Sequence, residues 1–408
     1  MVQLVALVAF VGTYVGLAFG RLPLVRVDRT GVAIIGAALM VLSGAIPWDR
    51  AVAAVDVHTL ALLFGMMIVT AYLRLSGFFA LVTAWTVRRA RTATGLLAML
   101  VVVSGVLSAL FVNDVVCLVL TPLVVDLTRR LRLPPLPYLI ALATASNVGS
   151  VATLTGNPQN MMVGSFSGIA YRTFLARQAP VAVVGLGLVF LVLWLTYRTR
   201  LPRTLEPVES EVRLPVHYPL MLKTGAVVAV MLVAFLAGVP IALVAIGGAA
   251  YTLLTRRVKP EKVYQEVNWQ LLVLFTGLFV VIAGIEAVGF TATLLRWASM
   301  LGLERIAVLT VATAAISNLV SNVPAVLLLK SMVPQFAEPG RAWLVVAMAS
   351  TFAGNLTIVG SVANLIVIEH ARAARLGIGF VEYAKVGVPL TALTLLAGAL
   401  ILGALPAP

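Results

Sequence analysis

Long uncharged apolar runs constrain this chain first. Residues 2–20 (VQLVALVAFVGTYVGLAFG), 30–47 (TGVAIIGAALMVLSGAIP) and 386–406 (VGVPLTALTLLAGALILGALP) contain no charged side chain. Each is close to the roughly 20 residues with which an α-helix crosses about 30 Å of hydrocarbon. Only 11% of the 408 residues are charged, against about 25% in soluble domains. No stretch is long or polar enough to form a soluble domain. The expected class is an all-α polytopic membrane protein. The first run lacks a basic leader and a small-residue cleavage site, so it reads as a retained span and not as a signal peptide.

The interruptions of these runs carry the next constraint. Residues 146–160 read SNVGSVATLTGNPQN between the apolar flanks LPYLIALATA and MMVGSFSGIA. In a bilayer, non-helical backbone is tolerated only where protein or a water-filled cavity surrounds it. Asn157 is a good N-cap, and Pro158 suits the first helical position, where its missing N–H costs nothing. A half-helix is therefore expected to begin at 158, with free N–H groups and partial positive charge at its end. Residues 350–364, STFAGNLTIVGSVAN, repeat the device with Ser361 as the cap. Two further polar breaks, LFVNDVVC (110–117) and LVSNVPAV (319–326), mark the tips of helical hairpins.

These breaks recur in order. At an offset of 204, Ser146, Thr153, Gly156 and Asn160 meet Ser350, Thr357, Gly360 and Asn364. At 209, Ser108 and Asn113 meet Ser317 and Asn322. At 212, Gly36, Gly65, Gly77 and Phe78 meet Gly248, Gly277, Gly289 and Phe290, and Asp56 meets Asn268. Ordered matches in three blocks indicate internal duplication. The first repeat covers 1–197, with spans at 2–20, 30–47, 56–75 and 179–197, a hairpin at 95–127 and a broken span at 136–168. A linker at 198–218 leads to the second repeat, 219–408. Its spans are 219–237, 241–255, 267–287 and 386–404, its hairpin 305–335 and its broken span 341–370. Five crossings per repeat, an odd number, place the second repeat upside down.

Charge supports this threading. With both termini outside, the inside segments hold 22 of the 29 Lys and Arg residues, as the positive-inside rule expects. The linker and the flanks of hairpin one are then cytoplasmic. This bias also accounts for the net charge of +14 without a nucleic-acid partner. The expected location is the cell (inner) membrane.

Four helix N-termini aimed at the bilayer midplane make an anion or oxyanion site from backbone, and the carbonyls freed by the same breaks suit sodium. The candidate substrate-binding residues are Asn113, Asn147, Thr153, Thr155, Gly156, Asn157, Asn160, Ser321, Asn322, Asn355, Thr357, Gly360, Ser361 and Asn364. Asp114 is the one carboxylate at a hairpin tip. Burying it ionised and unpaired costs several kcal/mol, so it is the candidate proton or cation carrier. A sodium site, as the alternative to a proton, falls near Asn113, Asp114, Gly156, Asn322 and Gly360. Cys117, the single cysteine, reads as a small core residue. Arg74 and Glu286 read as interfacial anchors, and Lys330 as a snorkelling side chain. No nucleophile–base pair, metal spacing or GxxxxGK[ST] loop occurs, so neither an enzyme nor an ATPase is expected, and no cofactor beyond a coupling ion.

The pattern FVNDVVCLVLTP followed by SNVGSVATLTGNPQN resembles the ion transporter superfamily. That group holds arsenite/antimonite efflux permeases, sodium/proton antiporters, and divalent anion–sodium symporters. FVND…LTP and SNVPAVLL look most like the arsenite permeases. ATLTGNPQN and GNLTIVGSVANLIV look more like the citrate-transporter-like permeases. The resemblance implies scaffold and transport domains moving by an elevator-type shift, often as a homodimer, with an ATPase subunit as partner if the chain is arsenite-permease-like. It also implies that Asn113 and the pair Ser321–Asn322 match the Ser-Asn-Thr tips that bind carboxylate and sodium in the symporters. Here the triplets are Val112-Asn113-Asp114 and Ser321-Asn322-Val323, and the Asp favours a proton-coupled route. The expected function is proton-coupled efflux of arsenite or antimonite. With one cysteine the substrate must be held through hydroxyls and polar backbone. A sodium-coupled carboxylate or sulfate carrier and a sodium/proton antiporter stand as alternatives.

Overall fold

The structure, a computed structural model, describes residues 1–19, 27–202, 204–205, 216–255 and 257–406. The expected linker 198–218 lies largely outside the described residues. The first half contains α1 (Val2–Phe19), α2 (Arg29–Leu42), α3 (Trp48–Ala53), α4 (Val57–Leu75) and α5 (Phe78–Arg89). It continues with α6 (Ala93–Leu110), α7 (Asn113–Arg130), α8 (Pro135–Ser150), α9 (Pro158–Ser167) and α10 (Tyr171–Tyr197). The second half repeats the order as α11 (Tyr218–Leu236), α12 (Ile241–Leu253), α13 (Pro260–Tyr264), α14 (Trp269–Ala287) and α15 (Thr291–Met300). It closes with α16 (Ile306–Val320), α17 (Asn322–Leu329), α18 (Pro339–Ala353), α19 (Val362–Ala373) and α20 (Phe380–Ala404). Seven of these helices are long and apolar enough to cross a membrane alone, and α2, α12 and α16 are shorter apolar helices.

Corresponding helices run in opposite directions. The Arg200 guanidinium, just past α10, pairs with Glu382 at the start of α20 at 3.3 Å. Arg74 at the end of α4 pairs with Glu266 just before α14. Along α10, Gln178 donates to the Leu344 carbonyl at 2.7 Å and Gly185 faces Phe352, so α10 is parallel to α18. Gly185 also faces Val148, and Tyr171 meets Thr155, so α10 is antiparallel to α8. The two halves are therefore related by an internal two-fold that inverts them.

The packing obeys the same two-fold. Gly65 of α4 lies against the Ala245 backbone of α12, and Gly277 of α14 lies against the Ala33 backbone of α2. A side chain at either glycine would collide with that backbone, so both crossings need the missing Cβ. Gly77 and Gly289 end the third span of each half at φ +82 and +83, a conformation that a side chain would strain. Helices α1, α2, α4, α11, α12 and α14 pack on one another as one group. The hairpins α6–α7 and α16–α17, the broken spans, α10 and α20 form the other. Aromatic pairs such as Phe166–Phe279 and Tyr171–Phe235 lie where the groups meet, and the Tyr14 hydroxyl donates across the boundary to the Pro324 carbonyl at 3.0 Å.

Three expectations need correction, and one arm length is new. The spans expected at 30–47 and 241–255 are helical only over Arg29–Leu42 and Ile241–Leu253, ended by Gly44 at φ +74 and by a tight turn at Leu254, where the Thr255 N–H donates to the Leu253 carbonyl at 2.7 Å. The last spans begin earlier than expected, at Tyr171 and Phe380, because the helices continue through Pro180 and Pro389. Such prolines are tolerated in membrane helices where neighbours re-satisfy the freed carbonyls. The second arm of hairpin two is helical for only 8 residues, against 18 in hairpin one. Arg74 is ion-paired and not merely an interfacial anchor.

Candidate substrate site

The breaks are built from the same hydrogen bonds twice. After α8 the chain turns through 151–157, and α9 begins at Pro158 with Asn157 as cap, its Oδ1 accepting the Asn160 N–H at 2.8 Å. The Asn160 amide then donates to the Ser150 carbonyl at 3.1 Å and the Thr153 carbonyl at 2.9 Å. In the second half the Asn364 amide donates to the Gly354 carbonyl at 2.7 Å and the Thr357 carbonyl at 3.1 Å. All three residues stand at the offset of 204. Ser361, the counterpart of Asn157, caps α19 by accepting the Ala363 N–H at 3.2 Å. Each asparagine thus satisfies carbonyls that the broken helix abandons, which the membrane interior requires.

One residue joins the halves. Asn147 Oδ1 accepts from Asn113 Nδ2 and from Ser361 Oγ, both at 3.0 Å. Its Nδ2 donates to Asn355 Oδ1 at 2.8 Å and Asn364 Oδ1 at 3.1 Å. All four bonding positions of the amide are filled, three of them by the opposite half. Thr351, which stands 204 residues on, mirrors it. Its Oγ1 accepts from Asn157 Nδ2 at 3.3 Å and Gln159 Nε2 at 3.0 Å.

The hairpin tips close onto these breaks. The Asn113 N–H donates to the Gly156 carbonyl at 3.0 Å. The Asn322 amide faces the Gly360 carbonyl at 3.2 Å, the Ser350 carbonyl at 3.1 Å and Ser317 Oγ at 2.7 Å, so its NH2 is the group turned toward them. Ser321 takes φ +81 and ψ 160, a region that is costly for any residue but glycine.

A cavity of about 90 Å³ lies between the tips. Its inner wall carries the starts of four helices: Asn113 and Asp114, Pro158 and Gln159, Asn322 and Val323, Ser361 and Val362. Its outer wall is Leu17, Arg29, Leu271, Leu274 and Phe275. Among the described residues, the Asp114 carboxylate has no hydrogen bond or ion pair; it faces the cavity half-buried. Asn113 Oδ1 is buried and also lacks a partner.

The expected site residues divide accordingly. Asn113, Asp114, Ser321, Asn322 and Ser361 line the cavity. Asn147, Thr153, Thr155, Gly156, Asn157, Asn160, Asn355, Thr357, Gly360 and Asn364 stand behind it. Their polar groups hold the breaks together: Thr153 bonds the Ala109 carbonyl, and Thr155 meets the Tyr171 hydroxyl at 3.2 Å. Cys117 is buried, its thiol directed at Ser146 Oγ at 3.2 Å. Lys330 lies over the Phe166 ring at 4.9 Å. Three participants were not anticipated. Thr351 stands at the repeat position of Asn147, Gln159 lies inside the first break, and Arg29 begins α2.

The two ends of the site are packed differently. Helix α9 packs on α4, but α19 makes no comparable packing on α14. Residues Thr59, Leu62 and Leu63, which stand 212 residues before Leu271, Leu274 and Phe275, are buried.

Two inverted halves that bring broken helices and hairpin tips to one interior cavity define a multi-pass membrane transporter. Residues 14–353 match the family model described as Citrate transporter, CitMHS, and the chain belongs to that family. It is 32% identical to the silicon efflux transporter LSI3 of Oryza sativa subsp. japonica, over 87% of this chain and 88% of that one. It is 24% identical to a Dictyostelium discoideum chain named as an arsB transporter, over 91% of this chain and 86% of that one. The crystal structure of the Alcanivorax borkumensis YdaH transporter shares the fold, with TM-score 0.60, 17% identity, and coverage of 98% and 96%. The relatives are transporters, and so is this chain; it is not an enzyme.

Proposed function

We propose that this protein is a secondary transporter that exports a small inorganic oxyacid of the arsenite, antimonite or silicic acid class in exchange for protons. The observation that carries this reading is the unpartnered Asp114 carboxylate in a cavity built from both hairpin tips. A carboxylate that faces a membrane cavity with no hydrogen bond or ion pair of its own is free to take up and release a proton as its surroundings change. Weak oxyacids offer O–H donors to Asp114 and oxygen acceptors to the helix N-termini and to Arg29, and need no thiolate. The LSI3 relative is named a silicon efflux transporter, and silicic acid falls in this substrate class. The aromatic pairs at the boundary between the two helix groups make no directional bonds, which suits an elevator-type slide. A sodium-coupled carboxylate carrier is the second reading, favoured by the family's name and by the unpartnered Asn113 Oδ1, an oxygen ligand suited to a hard cation.

The test is flux in proteoliposomes under separate H⁺ and Na⁺ gradients, with arsenite, silicic acid, citrate, succinate, sulfate and phosphate. Arsenite or silicic acid flux driven by the pH gradient is expected. Citrate or succinate flux driven by sodium alone would replace this reading with the second.

A further inference from the structure

Arg29 occupies a position that local physics disfavours three times over. It is the first residue of α2, where a cation opposes the helix dipole. It is half-buried, which costs solvation. It forms no ion pair or hydrogen bond with any described residue, although Asp28 is adjacent; that carboxylate caps the Gly31 N–H at 2.9 Å instead. Among the described residues no hydrogen bond or ion pair offsets these costs. What Arg29 does is line the same cavity as Asp114.

Its place in the fold adds a second consideration. Arg29 belongs to the helix group of α1, α2 and α14, whereas the tips and broken spans belong to the other. In a transporter built from inverted repeats, the two access states arise when one helix group moves against the other, and the inverted symmetry relates the walls of the two states. Arg29 and Ile241 are paired by the offset of 212 and begin α2 and α12. When the cavity opens at the opposite end, its outer wall therefore starts with Ile241, followed by Thr59, Leu62 and Leu63, and has no cation.

We propose that Arg29 is a one-sided substrate contact. It donates hydrogen bonds to the oxyacid while the cavity opens at its own end, the end that the charge bias assigns to the cytoplasm, and it is left behind when the site moves. The carrier then binds more tightly at the Arg29 end than at the Ile241 end. This rests on the transport reading above and adds a sidedness that the reading does not require.

The experiment measures the half-saturating concentration of arsenite and of silicic acid for zero-trans flux, in right-side-out and everted membrane vesicles. Wild type, Arg29→Gln, Arg29→Lys and Ile241→Arg are compared. A lost hydrogen bond to a charged group corresponds to about tenfold or more in affinity. Arg29→Gln is expected to raise the half-saturating concentration about tenfold at the Arg29 end and to leave the other end within about twofold, with Arg29→Lys retaining part of the difference. Ile241→Arg is expected to lower it at the opposite end alone. Equal changes at both ends, or none at either, would overturn the proposal while leaving the transport reading intact. Arg29→Gln that fails to reach the membrane leaves Ile241→Arg to decide by the same criterion. No wild-type flux of either oxyacid would remove the transport reading and this inference together.

Discussion

The two broken spans and the two hairpin tips are copies made to different tolerances. Asn160 and Asn364 bind the carbonyls at equivalent positions of their own breaks. The tips diverge. Hairpin one has Asp114 where hairpin two has Val323, a relaxed Val112 where hairpin two has the strained Ser321, and a long second arm where hairpin two has a short one. Backbone satisfaction inside a membrane has few solutions, so both halves retain the same one. The chemistry of coupling needs one titratable group, and a second carboxylate facing the first would repel it. A symmetric frame with asymmetric tips meets both demands.

Replacing the tips tests the asymmetry most severely. Asp114→Asn is expected to abolish the response of oxyacid flux to an imposed pH gradient while the protein still inserts and elutes as a folded species. Flux in that variant with wild-type pH dependence would take Asp114 out of the mechanism. Asn147→Ala comes next. It strips partners from Asn113, Ser361, Asn355 and Asn364 at once, and each buried polar group left unpaired costs about 1–3 kcal/mol. A large fall in thermal unfolding temperature is expected, larger than for Asn160→Ala or Asn364→Ala. Those two variants test the frame itself. Each should cost about 1–3 kcal/mol, and the two losses should agree to within about 1 kcal/mol; one loss without the other would mean that the breaks are not equivalent. Ser321→Gly is the mildest change. It removes a backbone strain of about 1–3 kcal/mol and should raise the unfolding temperature by a few degrees, where glycine at an unstrained tip would lower it.

Much of this frame could be read from residue order. In an apolar chain every Asn, Ser or Gly–Pro break stands out, and a cap such as Asn157-Pro158 announces its helix start. The ends of α2 and α12 were less legible, because the apolar run continues to Pro47 while the helix stops at Leu42. The early starts of α10 and α20 were hidden by Pro180 and Pro389, which local rules treat as breakers and a packed membrane interior does not. Which polar residues face the cavity was hidden as well. Thr153 and Asn160 have the composition of ligands, but their bonds are used within the breaks. Thr351 escaped notice because an Asn in one half became a Thr in the other, and Arg29 because only the packing of α2 against α14 carries it from the loop to the wall.

A double-mutant cycle between Asn147 and Ser361 addresses the meeting of the halves most directly. These residues come from opposite repeats and share a 3.0 Å hydrogen bond. Unfolding of the wild type, Asn147→Ala, Ser361→Ala and the double variant should give a coupling of at least about 1 kcal/mol. Additive losses would mean that the oppositely directed breaks do not touch, and the shared cavity would have no foundation.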